Sequence, residues 1–316
     1  MPSTVEKLLL AAPRGYCAGV DRAVETVERA LDLADGRPVY VRKQIVHNIH
    51  VVNELERRGA IFVDSEADVP AGGTVVFSAH GVAPDVHENA RTRGLDVIDA
   101  TCPLVTKVHS EARRFAEQGY RIFLVGHEGH EEVVGTMGEA PDAMVLVQTA
   151  EDVDRLPDEA PEARLAYLTQ TTLSVDETRE IIGRLKARFP QVVGPPKADI
   201  CYATSNRQAA VKALAHAVQL VLVIGSDNSS NSKRLVEVAR DEGVASHLIE
   251  DETRIEQSWL SGVERVGITS GASAPERLVQ RVVDWFRANG GVASVEELRT
   301  VQEDVAFNLP RPIRRA

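Results

Sequence analysis

A pattern of short apolar strand, polar loop and helix repeats along the chain, and it constrains the fold more than any other feature. Three of these units contain the chain's cysteines: Cys17 in KLLLAAPRGYCAGVD, Cys102 in VIDATCPLV and Cys201 in ADICYATSN. The strands are short runs rich in valine, isoleucine and leucine, which is typical of buried parallel strands. The helices carry apolar residues at positions i, i+3 and i+4, so each has one apolar face. The sequence therefore predicts an α/β fold with mainly parallel sheets.

The cysteine-containing units divide the chain into similar segments. Cys102 follows Cys17 by 85 residues and Cys201 follows Cys102 by 99, and two further strand–loop–helix units follow each cysteine. A period of this length suits a small domain rather than a solenoid repeat. We predict three similar α/β modules in a pseudo-threefold arrangement. Their predicted bounds are 1–101, 102–200 and 201–290, with a C-terminal tail at 291–316, and the N-terminal strand could pack with the third module.

The composition limits the class of protein and its partners. The chain has 316 residues and a formal net charge of −11, and no basic stripe stands out that could neutralise a phosphate backbone. No apolar run reaches the roughly 20 residues that cross a bilayer, and the start of the chain lacks a convincing secretion signal. We therefore expect a cytoplasmic protein, and we expect neither nucleic acid nor a membrane among its partners.

The cysteines favour a metal centre over disulfides. A reducing cytoplasm disfavours disulfides, and three cysteines cannot all pair. If the modules surround a pseudo-threefold axis, Cys17, Cys102 and Cys201 converge on it. Three thiolates without a fourth suit a centre that keeps one position open, and soft sulfur favours iron–sulfur or zinc. The spacing alone does not choose between a [4Fe–4S] cluster with one open iron and a catalytic zinc ion.

Polar residues occupy matching loops of the three segments, beyond the predicted carboxyl ends of the strands. Ligands of parallel α/β sheets bind there because the following helices point their N-termini at that edge. Hydroxyl, imidazole and amide donors at such places suit a phosphate-bearing ligand, and the one carboxylate is a candidate proton donor. These candidate residues are His47, His80, His130, Glu132, Thr171, Ser229, Ser230, Asn231 and Ser273.

A series of motifs resembles the 4-hydroxy-3-methylbut-2-enyl diphosphate reductase family, also called LytB/IspH. The shared stretches are PRGYCAGV, VHN, SAHGV, DATCPLV, GHEGHEEVVGT, TQTTLSVDET, DICYATSNRQ, SSNSKRL and GASAPE. They run in order from near residue 13 to residue 276, so the resemblance covers nearly the whole chain. It implies an oxidoreductase of the non-mevalonate isoprenoid pathway and a fold of three α/β modules around a central iron–sulfur site.

The resemblance also assigns roles to the candidate residues. It implies that the three cysteines hold a [4Fe–4S] cluster whose open iron binds the substrate hydroxyl group. It places His47, His80, His130 and Thr171 in the substrate pocket, with His130 linked to proton transfer and Glu132 delivering the proton. The diphosphate would be held by Ser229, Asn231 and Ser273, and Ser230 lies in the same motif.

The expected reaction is the reductive removal of a hydroxyl group from an allylic diphosphate, giving isopentenyl and dimethylallyl diphosphate. No nucleotide-binding glycine motif is evident, so the expected electron donor is a ferredoxin or a flavodoxin. We expect a monomer. Glu131 stands where the family commonly has proline, and we expect its side chain to face solvent. Two alternatives stay open: a zinc-dependent phosphoester hydrolase, and an iron–sulfur sensor that binds a diphosphate without turning it over.

Overall fold

Strands and helices alternate along the chain in the computed structural model, which describes residues 5–290 and 292–314. The strands are β1 (Lys7–Ala12), β2 (Val39–Arg42), β3 (Ala60–Val63), β4 (Thr74–Phe77), β5 (Asp96–Asp99), β6 (Arg121–Val125), β7 (Met144–Val147), β8 (Leu165–Thr169), β9 (Leu220–Ile224), β10 (Ala245–Ile249), β11 (Arg265–Ser270) and β12 (Ser294–Arg299). The helices are α1 (Ala18–Leu33), α2 (Ile49–Arg57), α3 (Pro84–Thr92), α4 (Pro103–Glu117), α5 (Glu131–Glu139), α6 (Ala150–Arg155), α7 (Val175–Arg188), α8 (Tyr202–Ala215), α9 (Ser230–Asp241), α10 (Glu276–Gly290) and α11 (Arg311–Arg314).

The described residues form three sheets, in which the paired strands are parallel. The strand orders are β10-β9-β11-β1-β12, β3-β2-β4-β5 and β7-β6-β8. Strand β9 has the sequence LVLVI, and all five of its residues are buried, as expected for a parallel strand covered on both faces. The predicted α/β class with parallel sheets is confirmed.

The five-stranded sheet belongs to one compact unit, which comprises the described residues up to Ala18 together with His47–Val51 and Tyr202–Ala306. Its core packs α10 against the central strands through buried apolar side chains, among them Leu222, Ile268 and Phe286. Strand β1 lies between β11 and β12 in this sheet. The C-terminal segment that follows residue 290 therefore supplies an edge strand before it continues as irregular chain.

The four-stranded and three-stranded sheets belong to a second compact unit, which comprises Gly19–Val46, Val52–Cys201 and the described residues from Phe307. Each of these sheets has its own apolar core. Phe77 of β4 is fully buried in the core of the four-stranded sheet, and Phe123 of β6 stacks on Phe189 in the core of the three-stranded sheet at a ring-centroid distance of 5.4 Å. In the described part of the chain, no helix combines the length and apolar character that crossing a membrane requires.

Helix N-termini place polar side chains at the carboxyl ends of the strands. Cys102, His130 and Ser229 are the N-cap residues of α4, α5 and α9. Cys17 and Cys201 directly precede α1 and α8. Since N-terminal N–H groups and the helix dipole favour negative charge, these positions suit thiolates and phosphate groups.

Candidate active site

Cys17 lies in the turn between β1 and α1, and backbone hydrogen bonds hold this turn. The Cys17 N–H donates to the carbonyl of Ala272 at 3.2 Å, and the Ala18 N–H donates to the hydroxyl oxygen of Tyr202 at 3.2 Å. Burial raises the pKa of Tyr202 to about 12. The phenol therefore keeps its proton at neutral pH while it accepts a hydrogen bond from the first residue of α1.

The loop after β11 brings together predicted substrate-binding residues of the first unit. The Ser273 hydroxyl donates to the carbonyl oxygen of His47 at 2.9 Å, and the Ala272 N–H donates to Oδ1 of Asn231 at 2.9 Å. The Nδ1 atom of His47 lies 3.4 Å from the side-chain nitrogen of Asn228. Ser273 and Asn231 are both buried. This loop therefore connects the Cys17 turn with His47 and with the N-terminus of α9.

The first turn of α9 is rich in hydroxyl groups. Ser229 caps the helix: its Oγ accepts hydrogen bonds from the backbone N–H of Ser232 at 3.3 Å and from the Ser232 hydroxyl at 3.0 Å. Ser230 and Asn231 are the first two residues of the helix. A 12-residue helix that begins with such donors is suited to bind an anion at its N-terminus.

In the second unit, Glu132 and Thr171 form a buried pair. The Thr171 N–H donates to Oε1 of Glu132 at 2.6 Å, and the Thr171 hydroxyl donates to Oε2 at 2.9 Å. Glu132 is only 2% exposed, and this burial raises the pKa of its carboxyl group although the bonds from Thr171 oppose the shift. The Cys201 N–H donates to the carbonyl of Thr171 at 3.1 Å. The pair thus lies directly beside one of the cysteine turns.

His80 and His130 lie edge to face, with ring centroids 6.0 Å apart. The Nδ1 atom of His130 accepts a hydrogen bond from the backbone N–H of Glu132 at 3.2 Å, so the N-cap of α5 is an imidazole. Burial, together with the charge of His80, lowers the pKa of His130 to about 4. His130 is therefore neutral at neutral pH, and its remaining ring nitrogen, Nε2, carries the proton.

The expectation that Glu131 faces solvent is wrong. Its carboxylate oxygen Oε2 lies 3.2 Å from Nδ1 of His80, and its side chain is 26% exposed. Burial alone would raise the pKa of Glu131, but the hydrogen bond and the charge of His80 lower it, with smaller contributions from His130 and Lys43. The first turn of α5 directs this carboxylate toward His80, so Glu131 belongs to the candidate site.

The cysteines have the chemistry that a soft metal centre requires. All three lie within the described residues, where none of them forms a disulfide, and each is partly exposed. The Cys102 N–H donates to the carbonyl of Ala79 at 3.0 Å, which joins this turn to the loop that carries His80. Cysteine sulfur is the preferred protein ligand of iron–sulfur centres. The residue type at these three turns therefore suits an iron–sulfur centre.

The structure distributes the predicted residues over both units. The first unit contains Cys17, His47, Ser229, Ser230, Asn231 and Ser273. The second unit contains His80, Cys102, His130, Glu132, Thr171 and Cys201. Within each unit, the hydrogen bonds described above connect neighbouring candidate loops.

Sequence reasoning missed several polar residues that support these side chains. The Thr204 hydroxyl oxygen lies 3.5 Å from the Asn231 amide nitrogen, and Ser232 bonds to Ser229 as described. The Ser226 hydroxyl accepts the N–H of Ile49 at 3.0 Å, at the start of α2. Thr204 lies in the DICYATSNRQ motif and Ser232 in the SSNSKRL motif. Their closeness in sequence to the candidate residues could have identified them.

Known proteins of one family are similar to this chain over nearly its whole length. Residues 8–287 match the family described as LytB protein. The chain is 59% identical over 315 residues to 4-hydroxy-3-methylbut-2-enyl diphosphate reductase of Acidothermus cellulolyticus, covering 99% of this chain and 92% of that protein. It is 60% identical over 316 residues to the protein of the same name from Mycolicibacterium paratuberculosis, covering 99% and 94%. The solved structure of E-1-hydroxy-2-methyl-but-2-enyl-4-diphosphate reductase from Plasmodium falciparum has a TM-score of 0.95 at 39% identity, covering 98% and 97%.

Proposed function

Since the chain belongs to the LytB family, we propose that it is a 4-hydroxy-3-methylbut-2-enyl diphosphate reductase of the non-mevalonate isoprenoid pathway. Its substrate is (E)-4-hydroxy-3-methylbut-2-enyl diphosphate, and its products are isopentenyl and dimethylallyl diphosphate. The observation that carries this proposal is the near-full-length similarity to relatives with this name. Replacing the hydroxyl group by hydrogen consumes two electrons and two protons and releases one water molecule.

We further propose that Cys17, Cys102 and Cys201 hold a [4Fe–4S] cluster, which supplies electrons and a Lewis-acidic iron for the C–O bond when it is bound. Support comes from the three thiols, each placed at the start of a helix. A ferredoxin or flavodoxin is the proposed electron donor, and the cytoplasm the proposed compartment. The protein is proposed to act as a monomer.

The diphosphate is proposed to bind at the hydroxyl-rich start of α9 and the loop after β11. Ser229, Ser230, Asn231 and Ser273 offer hydroxyl and amide donors, and the helix N-terminus adds a favourable field for negative charge. His47 lies beside this group through the Ser273 hydrogen bond. Fixing the diphosphate end orients the allylic chain, so the hydroxyl group at its other end is presented in one position.

Proton delivery is assigned to Glu132, with Thr171 and His130 as its neighbours. A carboxyl group whose pKa is raised by burial keeps its proton to higher pH than an ordinary glutamate does. The Thr171 hydroxyl, 2.9 Å from Glu132, can donate to a substrate oxygen while it takes a proton from the carboxyl group. Neutral His130 can donate from its Nε2 without adding a fixed positive charge to the site.

The decisive experiment combines metal analysis with turnover. Protein purified without air should contain iron and acid-labile sulfide, and it should convert the hydroxylated diphosphate when a strong reductant is supplied. Cys102→Ser should lose the cluster and the activity together. Zinc without sulfide would instead indicate the hydrolase, and a cluster that responds spectroscopically to the diphosphate without forming product would indicate the sensor.

A further inference from the structure

The segment that follows β12 is anchored to α8 through one carboxylate. The Oε1 atom of Glu303 accepts hydrogen bonds from Nδ2 of Asn206 at 3.0 Å and from Nη1 of Arg207 at 3.1 Å. Upstream of this contact, the Thr300 N–H donates to the carbonyl of Ala12 at 2.9 Å and continues the pairing of β12 with β1. The C-terminal segment is therefore fixed from β12 as far as Glu303.

Arg207 connects this carboxylate to the turn that carries Cys17. Its side chain is completely buried, and its Nη2 donates to the carbonyl of Gly15 at 2.7 Å, two residues before the cysteine. Its Nη1 also donates to the carbonyl of Ala203 at 3.0 Å. Only the planar fork of an arginine can reach the carboxylate and the carbonyl oxygens at once.

Glu303 is the counter-ion of the buried Arg207 guanidinium. A buried guanidinium that loses its counter-ion carries a large desolvation penalty, so it must move toward other partners or toward water. Its Nε has no hydrogen-bond partner within the described part of the chain. The ion pair with Glu303 at 3.1 Å is therefore the main compensation for the buried charge.

Side chains hold both backbone polar groups of Gly15, whose left-handed conformation is readily adopted by glycine. Gly15 has a φ of 69°, and its N–H donates to the Ser270 hydroxyl at 2.8 Å. The bond from Arg207 to the Gly15 carbonyl fixes the other side of the same residue. With both polar groups held, the direction in which the chain enters Cys17 is set.

We propose that Glu303 and Arg207 are positioning residues, through which the C-terminal segment holds the Cys17 turn in the conformation that binds the cluster. The inference rests on the proposed role of Cys17 as a ligand, but the order of the turn is testable without a cluster. It gives the segment after β12 a role in cluster retention.

The first test is residue-resolved alkylation of the full-length chain after anaerobic removal of metal. Iodoacetamide labelling of each cysteine is followed by mass spectrometry, with Cys102 and Cys201 as internal references. In Glu303→Gln, the rate at Cys17 should rise about ten-fold because a charge-assisted hydrogen bond is lost, while the reference rates change less than about two-fold. Glu296→Gln removes an exposed carboxylate of β12 that pairs with Lys7, and it should change none of the rates.

Arg207→Lys provides a second variant. It keeps a positive charge for Glu303, but its single ammonium group cannot also hold the Gly15 carbonyl, so the Cys17 rate should again rise selectively. An unchanged Cys17 rate in both variants would overturn the inference. A parallel rise at all three cysteines would also overturn it, because that pattern reports general loosening.

The second test uses the protein as purified without air. Iron release to a chelator should be several-fold faster in Glu303→Gln than in the wild type or in Glu296→Gln, and equal release rates would contradict the proposed role in retention. If the purified protein contains no cluster, the proposed function fails, but the alkylation rates of the metal-free protein still test the role of Glu303 and Arg207. Failure of the proposed function can therefore be told apart from failure of this inference.

Discussion

Thr171 donates both its backbone N–H and its hydroxyl group to the buried carboxyl group of Glu132, at 2.6 and 2.9 Å. Thr171→Val removes the hydroxyl donor while it preserves the shape of the side chain and the backbone hydrogen bond. Turnover should fall about 100-fold, since general-acid assistance is worth roughly this factor, with substrate affinity within about three-fold. The measurement is single-turnover kinetics alongside equilibrium binding. Thr171→Ser, which keeps the hydroxyl, should retain most of the rate, and an equally active valine variant would exclude the proposed relay.

Glu132→Gln tests the proton itself. The amide keeps one acceptor oxygen for Thr171 but cannot hold an acidic proton. Product formation should therefore slow about 100-fold. Because Glu132 is buried beside Thr171 and its proposed role is proton delivery, the affinity for the diphosphate should hardly change. Binding is measured by titration with the substrate in the absence of reductant. An equal loss of affinity and turnover would assign Glu132 a structural role.

The low pKa of His130 predicts a pH dependence of stability. The unfolded histidine binds a proton below about pH 6.5, whereas the folded one binds it only near pH 4. Between these values the unfolded state holds more protons, so stability falls as the pH falls from about 6.5 to about 4. The loss attributable to His130 should be on the order of 3 kcal/mol across that window.

The matched control is His130→Asn, because asparagine is a good N-cap for α5 and does not titrate. Urea denaturation of the two anaerobic proteins at pH 7 and pH 5 gives the comparison. The wild type should lose more stability than the variant between these two values. Identical losses would show that His130 is protonated normally in the folded protein.

The elements that hold the site were predictable because they depend on local sequence. Continuous apolar runs such as LVLVI specify parallel strands, and the proline after Cys102 marks the start of α4. The serine-rich DNSSN stretch places an N-cap at Ser229. The family expected from the motifs is likewise confirmed. Periodicity and capping are properties of a few adjacent residues, so a sequence without a structure reveals them.

Features that depend on distant contacts were not predictable. β12 has the sequence SVEELR, whose exposed acidic residues give no apolar run, and it becomes a strand only because β1 offers it an edge. Glu303 meets Arg207 across 96 residues of chain. Glu131 was expected in solvent because nothing in its neighbourhood shows that His80 lies within 3.2 Å. Tertiary structure alone brings these groups together.

The ion pair of Lys107 with Asp199 predicts a strong effect on stability. Lys107 Nζ lies 2.8 Å from Oδ1 of Asp199, whose side chain is fully buried and whose Oδ2 accepts the N–H of Thr169 at 3.0 Å. Lys107→Met leaves a buried carboxylate without its counter-ion and should cost about 3 kcal/mol of unfolding free energy. Adding Asp199→Asn should recover much of the loss, since the two residues interact directly.

The pH dependence of this variant supplies a check. Burial raises the pKa of Asp199 to about 6, so the folded protein retains this proton above the pH at which the unfolded chain loses it. The destabilisation by Lys107→Met should therefore be largest above pH 7 and smaller near pH 5, where Asp199 is protonated. Denaturation curves at both values test this, and a loss that does not vary with pH would show that charge is not its cause.

Gly271→Ala should weaken diphosphate binding through Ser232. A Cβ at position 271 would lie 2.0 Å from the Ser232 hydroxyl oxygen, which donates to Ser229 at 3.0 Å. The Ser232 hydroxyl must move away, which removes its hydrogen bond to the N-cap residue Ser229. The KM should rise about ten-fold, as loss of one or two such hydrogen bonds implies, while kcat at saturation falls much less.

Removing the colliding oxygen in the double variant Gly271→Ala/Ser232→Ala should restore part of the affinity, measured by steady-state kinetics against Ser232→Ala alone. A single variant with wild-type KM, or a double variant no better than the single, would show that the packing of Ser232 does not set the geometry of the diphosphate site.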